Sequence, residues 1–122
     1  MLLSDAEMEV LKALWEKSPR SARELHDDLS ARMNWALSTT RTVVERMRAK
    51  ELVQREDVHG LAVYRPARSK VEVLGESFER LFRHVLEVPG DLPVSSLTGS
   101  ALLDADELAE LERMVNGRES PR

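Results

Sequence analysis

Cysteine is absent from this 122-residue sequence, which excludes disulfide bonds and metal sites built on thiolates. The chain also lacks any run of about 18 apolar residues, so we predict no membrane-spanning helix. Its first residues, MLLSDAEMEVLKALW, carry neither the basic segment nor the small-residue cleavage site of a signal peptide. These absences together predict a cytoplasmic protein.

Aromatic residues make up only 4% of the chain, although hydrophobic residues reach 42% and charged residues 33%. This composition is typical of a folded protein, and the length predicts one domain, or one compact domain with an appended element. A chain this short leaves much of its surface unburied, so pairing of two copies is an attractive source of additional core.

Positive charge is in short supply, because 18 Lys and Arg residues face 22 Asp and Glu residues. The distribution matters more than the resulting net charge of −4. Residues 37–70 hold eight basic and four acidic residues, whereas residues 71–122 hold five and eleven. Any contact with nucleic acid is therefore expected from residues 37–70.

Three helices are predicted in the first half of the chain. Ser4 with Glu7, and Ser21 with Glu24, have the spacing of capping boxes, and apolar residues repeat at helical spacing after each box. Ser38 is the predicted N-cap of the third helix. The three helices are expected to end near Lys17, Arg32 and Lys50.

The runs LVQRED and LAVYRPA flank DVHG and predict a β-hairpin with about four residues in each strand. An amphipathic helix is predicted from Lys70, SSLTGSALL has the pattern of a short helix, and Asp104 with Glu107 caps a last helix. The predicted fold is mainly α with a small β-hairpin. Residues 1–69 would form a winged helix-turn-helix DNA-binding domain, and residues 70–122 a helical dimerisation region.

The order helix–helix–helix–hairpin is that of a winged helix, whose third helix and wing commonly contact DNA. Val43, Val44 and Met47 share one side of the predicted third helix. The opposite side suits DNA, because hydroxyls near a helix N-terminus favour a phosphate and the fork of an arginine matches the acceptors of guanine. The residues predicted to contact DNA from this helix are Ser38, Arg41, Thr42, Glu45 and Arg46.

Further DNA contacts, which would hold phosphates without reading sequence, are predicted in the wing and just after it, at Arg55, His59, Arg65 and Arg68. Simpler interpretations remain for both surfaces. Arg41 and Glu45 have the spacing of an ion pair on a solvated helix, and alternate residues of an exposed hairpin are polar in any case. Glu45 either accepts from a cytosine amino group or holds Arg41 in place.

Three segments resemble the penicillinase-repressor (BlaI/MecI) family, namely LSDAEMEVLKALW at 3–15, WALSTTRTVVERMRAKELV at 35–53 and VYRPA at 63–67. The resemblance spans nearly the whole chain, and the combination of the three segments is fairly specific. It implies a homodimeric winged-helix transcriptional repressor that binds a double-stranded DNA operator with two-fold symmetry. By position, the family's operator-reading segment would include Ser38, Thr39, Arg41 and Thr42.

The C-terminal helices fall on the dimerisation region of that family. The apolar stripes of this sequence agree with the assignment, and the residues predicted to form the dimer interface are Leu74, Phe78, Leu81, Phe82, Val85, Leu108, Leu111 and Met114. The alternative is that these helices fold back on their own winged helix.

The sequence departs from the family at three points. A copper-responsive branch uses C-terminal cysteines, which this chain lacks. Other members contain an Asn-Phe bond that is cut during induction by β-lactams, and the corresponding SLTGSALLD has none. Leu61 replaces the usual basic residue after the glycine of the wing. An upstream membrane sensor and protease pathway is therefore implied by the resemblance alone.

Two other classes of function compete with a DNA-binding repressor. A winged-helix protein-interaction module would use the same face on an acidic partner without binding DNA. An enzyme is disfavoured, because His26, His59 and His84 lie in separate elements and the chain has neither a Gly-rich phosphate loop nor a Ser/Cys–His signature. We predict no catalytic residue, no metal site and no cofactor.

Overall fold

The computed structural model describes residues 3–117. Its contacts divide the chain into two compact units, one ending at Ser69 and the other beginning at Lys70. Each unit has its own cluster of buried apolar side chains. Helices combined with one small sheet confirm the predicted fold class.

Three α-helices form the body of the first unit, and the predicted capping boxes begin two of them. The Ser4 hydroxyl accepts from the Glu7 amide at 3.1 Å, and the Glu7 carboxylate accepts from the Ser4 amide at 2.9 Å. Ser21 and Glu24 repeat this arrangement. Each box satisfies backbone donors that the start of a helix leaves without partners. The helices are α1 (Asp5–Glu16), α2 (Ala22–Met33) and α3 (Leu37–Ala49).

The start of α3 differs from the prediction. Ser38 is not its N-cap, because the helix begins at Leu37 and the capping residue is Ala36, which offers no side-chain hydrogen bond. Asn34 ends α2 in the left-handed conformation (φ 55°), and Trp35 then packs against the core of the first unit. We attribute the shift to this packing, which outweighs the local preference of serine for a capping position.

The sheet of the first unit is antiparallel, and its strands are β1 (Arg20–Ser21), β2 (Val53–Val58) and β3 (Leu61–Pro66). The strand order is β1–β3–β2, and β1 is an element that the sequence does not predict. The hairpin of β2 and β3 confirms the predicted wing. Its strands are longer than expected, because Asp57 and Val58 extend β2 and leave a two-residue turn, His59 (φ 52°) and Gly60 (φ 80°). Positive φ at both turn residues matches the twist of hairpin strands.

The core of the first unit lies where the three helices meet the sheet. Burial of these side chains is its main source of stability, at about 25 cal/mol per Å² of apolar surface. Trp15 packs at the edge of this core, and its indole N–H donates to the Arg68 carbonyl at 3.0 Å. The core therefore fixes the inner side of α3 and the base of the wing. Its buried members include Val10, Leu11, Leu14, Leu25, Leu29, Val44, Met47, Leu52, Val53 and Tyr64.

The second unit is built from short helical segments. The helix predicted from Lys70 is present, but only α4 (Lys70–Glu79) is α-helical, and the chain continues in π-helical geometry over Arg80–Val85. Of the short helix predicted in SSLTGSALL, the structure has a 3-10 turn, Val94–Leu97. No helix within residues 3–117 combines the length and the apolar character needed to cross a membrane.

The last predicted helix is confirmed as α5 (Ala105–Glu112), which begins with the capping box of Asp104 and Glu107 and ends in a π-helical turn, Arg113–Gly117. Gly75 lets α4 approach this turn closely, because a Cβ there would lie 2.6 Å from the Met114 sulfur. The core of the second unit is small, and its buried members are Val71, Phe78, Leu92, Val94, Leu103, Leu111 and Val115.

Candidate nucleic-acid interface

The third helix has one side in the core of the first unit and the other side open. Thr40, Val44 and Met47 are fully buried on the inner side, as the apolar pattern predicts. At 3.6 residues per turn, the polar residues fall on one continuous opposite side. We call this side the outer face of α3, and it consists of the exposed residues Ser38, Thr39, Arg41, Thr42 and Arg46.

The two arginines of the outer face hold no partner. Among residues 3–117, the guanidinium groups of Arg41 and Arg46 make no hydrogen bond or ion pair. The ion pair considered between Arg41 and Glu45 is therefore not formed. A cation without an internal partner keeps all its donors for a ligand, and an arginine has five.

Glu45 lies beside the outer face and makes three contacts of its own. Its carboxylate accepts from Arg48 at 2.9 Å, from Arg55 of β2 at 3.3 Å and from the hydroxyl of Tyr64 of β3. The Tyr64 bond and then the Arg48 bond lower the pKa of Glu45. Burial and the Glu45 carboxylate together raise the pKa of Tyr64 to about 12. Glu45 is thus a bound anion that links α3 to both strands of the wing.

The cationic residues of the wing differ in how freely they can bind a ligand. Arg55 pairs with Glu45 and also lies 3.6 Å from Asp57, and Arg65 pairs with Glu56 at 2.6 Å. His59 is exposed at the tip of the turn. Arg68 is half-buried after β3. A phosphate would therefore have to compete with carboxylates for Arg55 and Arg65.

A cleft brings together three arginines from three elements. Arg23 of α2, Arg41 of α3 and Arg55 of β2 line it, along with Glu45 and Tyr64. The sequence predicts the second and third of these but not Arg23, which lies in a stretch with more acidic than basic residues. Its position was still inferable, because the Ser21 capping box puts residue 23 in the exposed first turn of α2.

The residues predicted to form a dimer interface fall into two groups. Phe78 and Leu111 are buried in the core of the second unit, and a larger set packs against that core, namely Leu74, Phe82, Leu108 and Met114. The exposed ones are Leu81 (46%) and Val85 (59%), and Leu86 (56%), which is not among the predicted residues, is exposed as well. Phe78 and Leu111 therefore contribute to the core of their own unit, and the dimer interface stays a prediction.

Within the described part of the chain, no three His, Asp or Glu side chains come together as a set that could hold a metal ion. His26 lies next to a core residue instead, with its Nδ1 3.4 Å from the Thr40 hydroxyl.

Three helices, a three-stranded sheet with a hairpin wing, and a third helix with an open polar face together define a winged helix-turn-helix protein. The model of the penicillinase repressor family matches residues 3–117. The chain therefore belongs to the penicillinase repressor family, which confirms the resemblance seen in its sequence. Members of this family are transcriptional regulators and not enzymes.

Two relatives that are named as regulators agree with this assignment. The methicillin resistance regulatory protein MecI of Staphylococcus aureus is 22% identical over 114 residues, which cover 93% of each chain. The transcriptional regulator BlaI of Mycobacterium tuberculosis is 40% identical over 52 residues, 42% of this chain and 38% of that protein. An uncharacterised 16.5 kDa protein of Latilactobacillus sakei is 20% identical over 95% of this chain and 80% of its own. The protein is thus a transcriptional repressor of the BlaI/MecI type.

Proposed function

We propose that this repressor acts as a homodimer on a double-stranded DNA operator with two-fold symmetry, with the outer face of α3 in the major groove. The observation that carries the proposal is the state of Arg41 and Arg46. Both are exposed and unpaired among residues 3–117 on a helix whose other side is core. Such a role requires a cytoplasmic protein, as the sequence predicts.

Base reading is assigned to Arg41, which lies one turn into α3. Its guanidinium fork can donate to O6 and N7 of one guanine, a bidentate contact that distinguishes base pairs. Ser38, Thr39 and Thr42 have short side chains, so the helix can approach the groove closely. Their position in the first turns of α3 also favours a phosphate near the helix N-terminus. Arg46 would then meet the backbone or a second base.

Phosphate binding is assigned to the cleft and the wing. Arg23 also lines the cleft beside Arg41, and its guanidinium has no partner among residues 3–117. A phosphate could therefore bind Arg23 without displacing a carboxylate. Arg55, Arg65, Arg68 and His59 remain proposed contacts of the wing. Because phosphates position a protein without specifying sequence, Arg23→Ala should weaken all duplexes alike and lower the salt slope by about 1.

The homodimer is proposed from the exposed apolar residues of the second unit. Leu81, Val85 and Leu86 expose about half of their surface each, and an isologous interface would bury them against the same residues of a second copy. Two α3 helices would then enter successive major grooves about 34 Å apart. We expect Val85→Asp to lower the sedimentation coefficient to that of a monomer, while Ser95→Asp, at an exposed polar position, leaves a dimer. A Val85→Asp protein that stays dimeric would refute this interface.

The experiment that tests DNA binding is a titration of random-sequence duplex at several salt concentrations. Release of counterions predicts that the logarithm of affinity falls linearly with the logarithm of salt, with a slope of about −0.9 per phosphate contacted. The protein-interaction module, the alternative raised by the sequence, predicts no duplex binding even at low salt. Absence of binding at about 20 mM salt would contradict the proposal, because electrostatic attraction is strongest there.

A further inference from the structure

Glu45 stands out because it is an anion beside a surface that is proposed to bind DNA. Its partners Arg55 and Tyr64 face each other across the β2–β3 ladder. One carboxylate of α3 therefore contacts both members of a cross-strand pair. We call this arrangement, formed by Glu45, Arg55 and Tyr64, the wing clasp.

Beyond its pairing with β1, the wing buries few side chains against the rest of the first unit. In β2 only Val53 is buried, and Gln54 to Val58 are exposed. In β3 only Val63 and Tyr64 are buried. The Tyr64 hydroxyl reaches the Glu45 carboxylate from a side chain that is 4% exposed. A hydrogen bond to a charged acceptor is stronger than one between neutral groups, so the clasp is a substantial link between the wing and α3.

The hydrogen bonds that the Glu45 carboxylate already accepts limit what it can do at a DNA surface. Three donors already contact its two oxygens, which leaves about one of its four acceptor sites for a cytosine amino group. Arg48 and Arg55 also neutralise a charge that would otherwise repel phosphates. Since these donors contact Glu45, Arg41 has no carboxylate partner among residues 3–117.

We propose that Glu45 is a positioning residue, which fixes the wing to α3 and keeps Arg41 available to bases. The inference rests on the proposed DNA-binding function. It assigns specificity to a residue that acts through Tyr64 and Arg55 and not through contact with a base.

The first test needs no DNA. Amide hydrogen exchange is measured in the unaltered protein and in three variants, Glu45→Gln, Tyr64→Phe and Glu56→Gln. We expect amides of β2 and β3 to exchange at least about threefold faster in the first two variants. This factor corresponds to the lower end of the interaction energies between groups that share a hydrogen bond. Glu56→Gln is the matched control, because it removes the same charge from the Arg65 pair of the wing without touching α3. Unchanged exchange in both Glu45→Gln and Tyr64→Phe would overturn the clasp.

The second test uses a duplex that the unaltered protein selects from a random library, compared with a random duplex of equal length. Tyr64→Phe changes no charge and removes a hydroxyl bound within the protein. We expect it to lower the ratio of selected-duplex to random-duplex affinity at least about threefold. Glu45→Gln should lower this ratio as well, and the double variant should lose no more than the larger of the two single effects. Glu56→Gln should leave the ratio unchanged.

The outcomes separate the two proposals. Failure to select any duplex would refute the DNA-binding function, and the positioning role would fall with it. If a duplex is selected but Tyr64→Phe keeps the full ratio while Glu45→Gln loses it, Glu45 acts on a base directly and the positioning role is wrong. Faster exchange in the wing with an unchanged ratio in both variants would show a merely structural link, which also overturns the proposal.

Discussion

The two units of this chain differ in both core and charge. Among residues 3–117, the first has twelve residues in its buried cluster, drawn mainly from three helices and a sheet, whereas the second has seven, drawn from short helices and the loops between them. Residues 1–69 hold 12 Lys and Arg residues against 11 Asp and Glu residues, whereas residues 70–122 hold six against eleven. The larger core accompanies the surface that is proposed to bind DNA.

This difference indicates how a small repressor can divide its tasks. Base reading requires a helix held in one orientation, and the first unit supplies this by burying the whole inner side of α3. The second unit leaves Leu81, Val85 and Leu86 exposed. A small unit with exposed apolar residues gains most from a second copy, and its excess of acidic residues would oppose contact with a DNA backbone.

The largest effects are expected from deleting one core side chain in each unit. Leu29 and Leu111 are both fully buried, and replacing either with Ala should cost about 2–5 kcal/mol of unfolding free energy. Because the cores are separate, Leu111→Ala should speed amide exchange in α4 and α5 and leave α1 to α3 protected. Equal loss of protection in both units after either substitution would show that they unfold as one and would break the comparison.

A smaller effect is expected from the helix caps. Ser21→Ala in the first unit and Asp104→Ala in the second each remove a capping bond, which costs about 0.5–2 kcal/mol. Ser21 is buried and Asp104 is exposed, so water can replace the lost bond only at the second site. We therefore expect the larger loss from Ser21→Ala in urea unfolding. A larger loss from Asp104→Ala would contradict the view that the first unit depends more on internal bonds.

The smallest effect is the acid dependence of Glu7. Burial alone would raise its pKa, but the hydrogen bond from Lys50 and those of the Ser4 cap outweigh burial and lower it below 4.5. Ionised Glu7 thus adds stability that is complete above about pH 4.5 and is lost as pH falls through the lower pKa of the folded state. Glu7→Gln keeps the capping box, so it should cost about 1 kcal/mol or less near pH 7, and the cost should shrink as the pH falls below about 4.5.

The measurement is urea unfolding of the unaltered protein and of Glu7→Gln, from near pH 7 to below about pH 4.5. Glu24→Gln is the matched control, since it makes the same change in the second capping box at a carboxylate with no Lys or Arg partner among residues 3–117. If the loss of unfolding free energy in Glu7→Gln grew as the pH fell, its sign would contradict the stabilising role of ionised Glu7.

Much of the fold was predictable because its signals are local. Capping boxes, the apolar stripe of α3 and the hairpin each depend on residues within a few positions of one another. The exceptions depend on distant contacts. The pairing of β1 with β3, the packing of Trp35 that moves the start of α3, and the π-helical end of α4 have no local signature in the sequence.

The candidate site follows the same rule. Exposure of Arg41 was predictable from helical periodicity, but its freedom from Glu45 was not. That freedom arises because Tyr64 and Arg55, some ten to twenty residues further along the chain, take the carboxylate. Arg23 was missed for a related reason, since the cleft that it shares with Arg41 joins elements distant in sequence.

The most direct measurement of the central claim compares Arg41→Ala with Arg113→Ala by gel-shift titration on the duplex that the unaltered protein selects. Both substitutions remove one exposed cation, but Arg113 lies in the second unit. We expect Arg41→Ala to lose about 1–3 kcal/mol of binding free energy and its preference at one base pair, while Arg113→Ala retains both. Full affinity and unchanged base preference in Arg41→Ala would contradict the proposal that Arg41 reads a base.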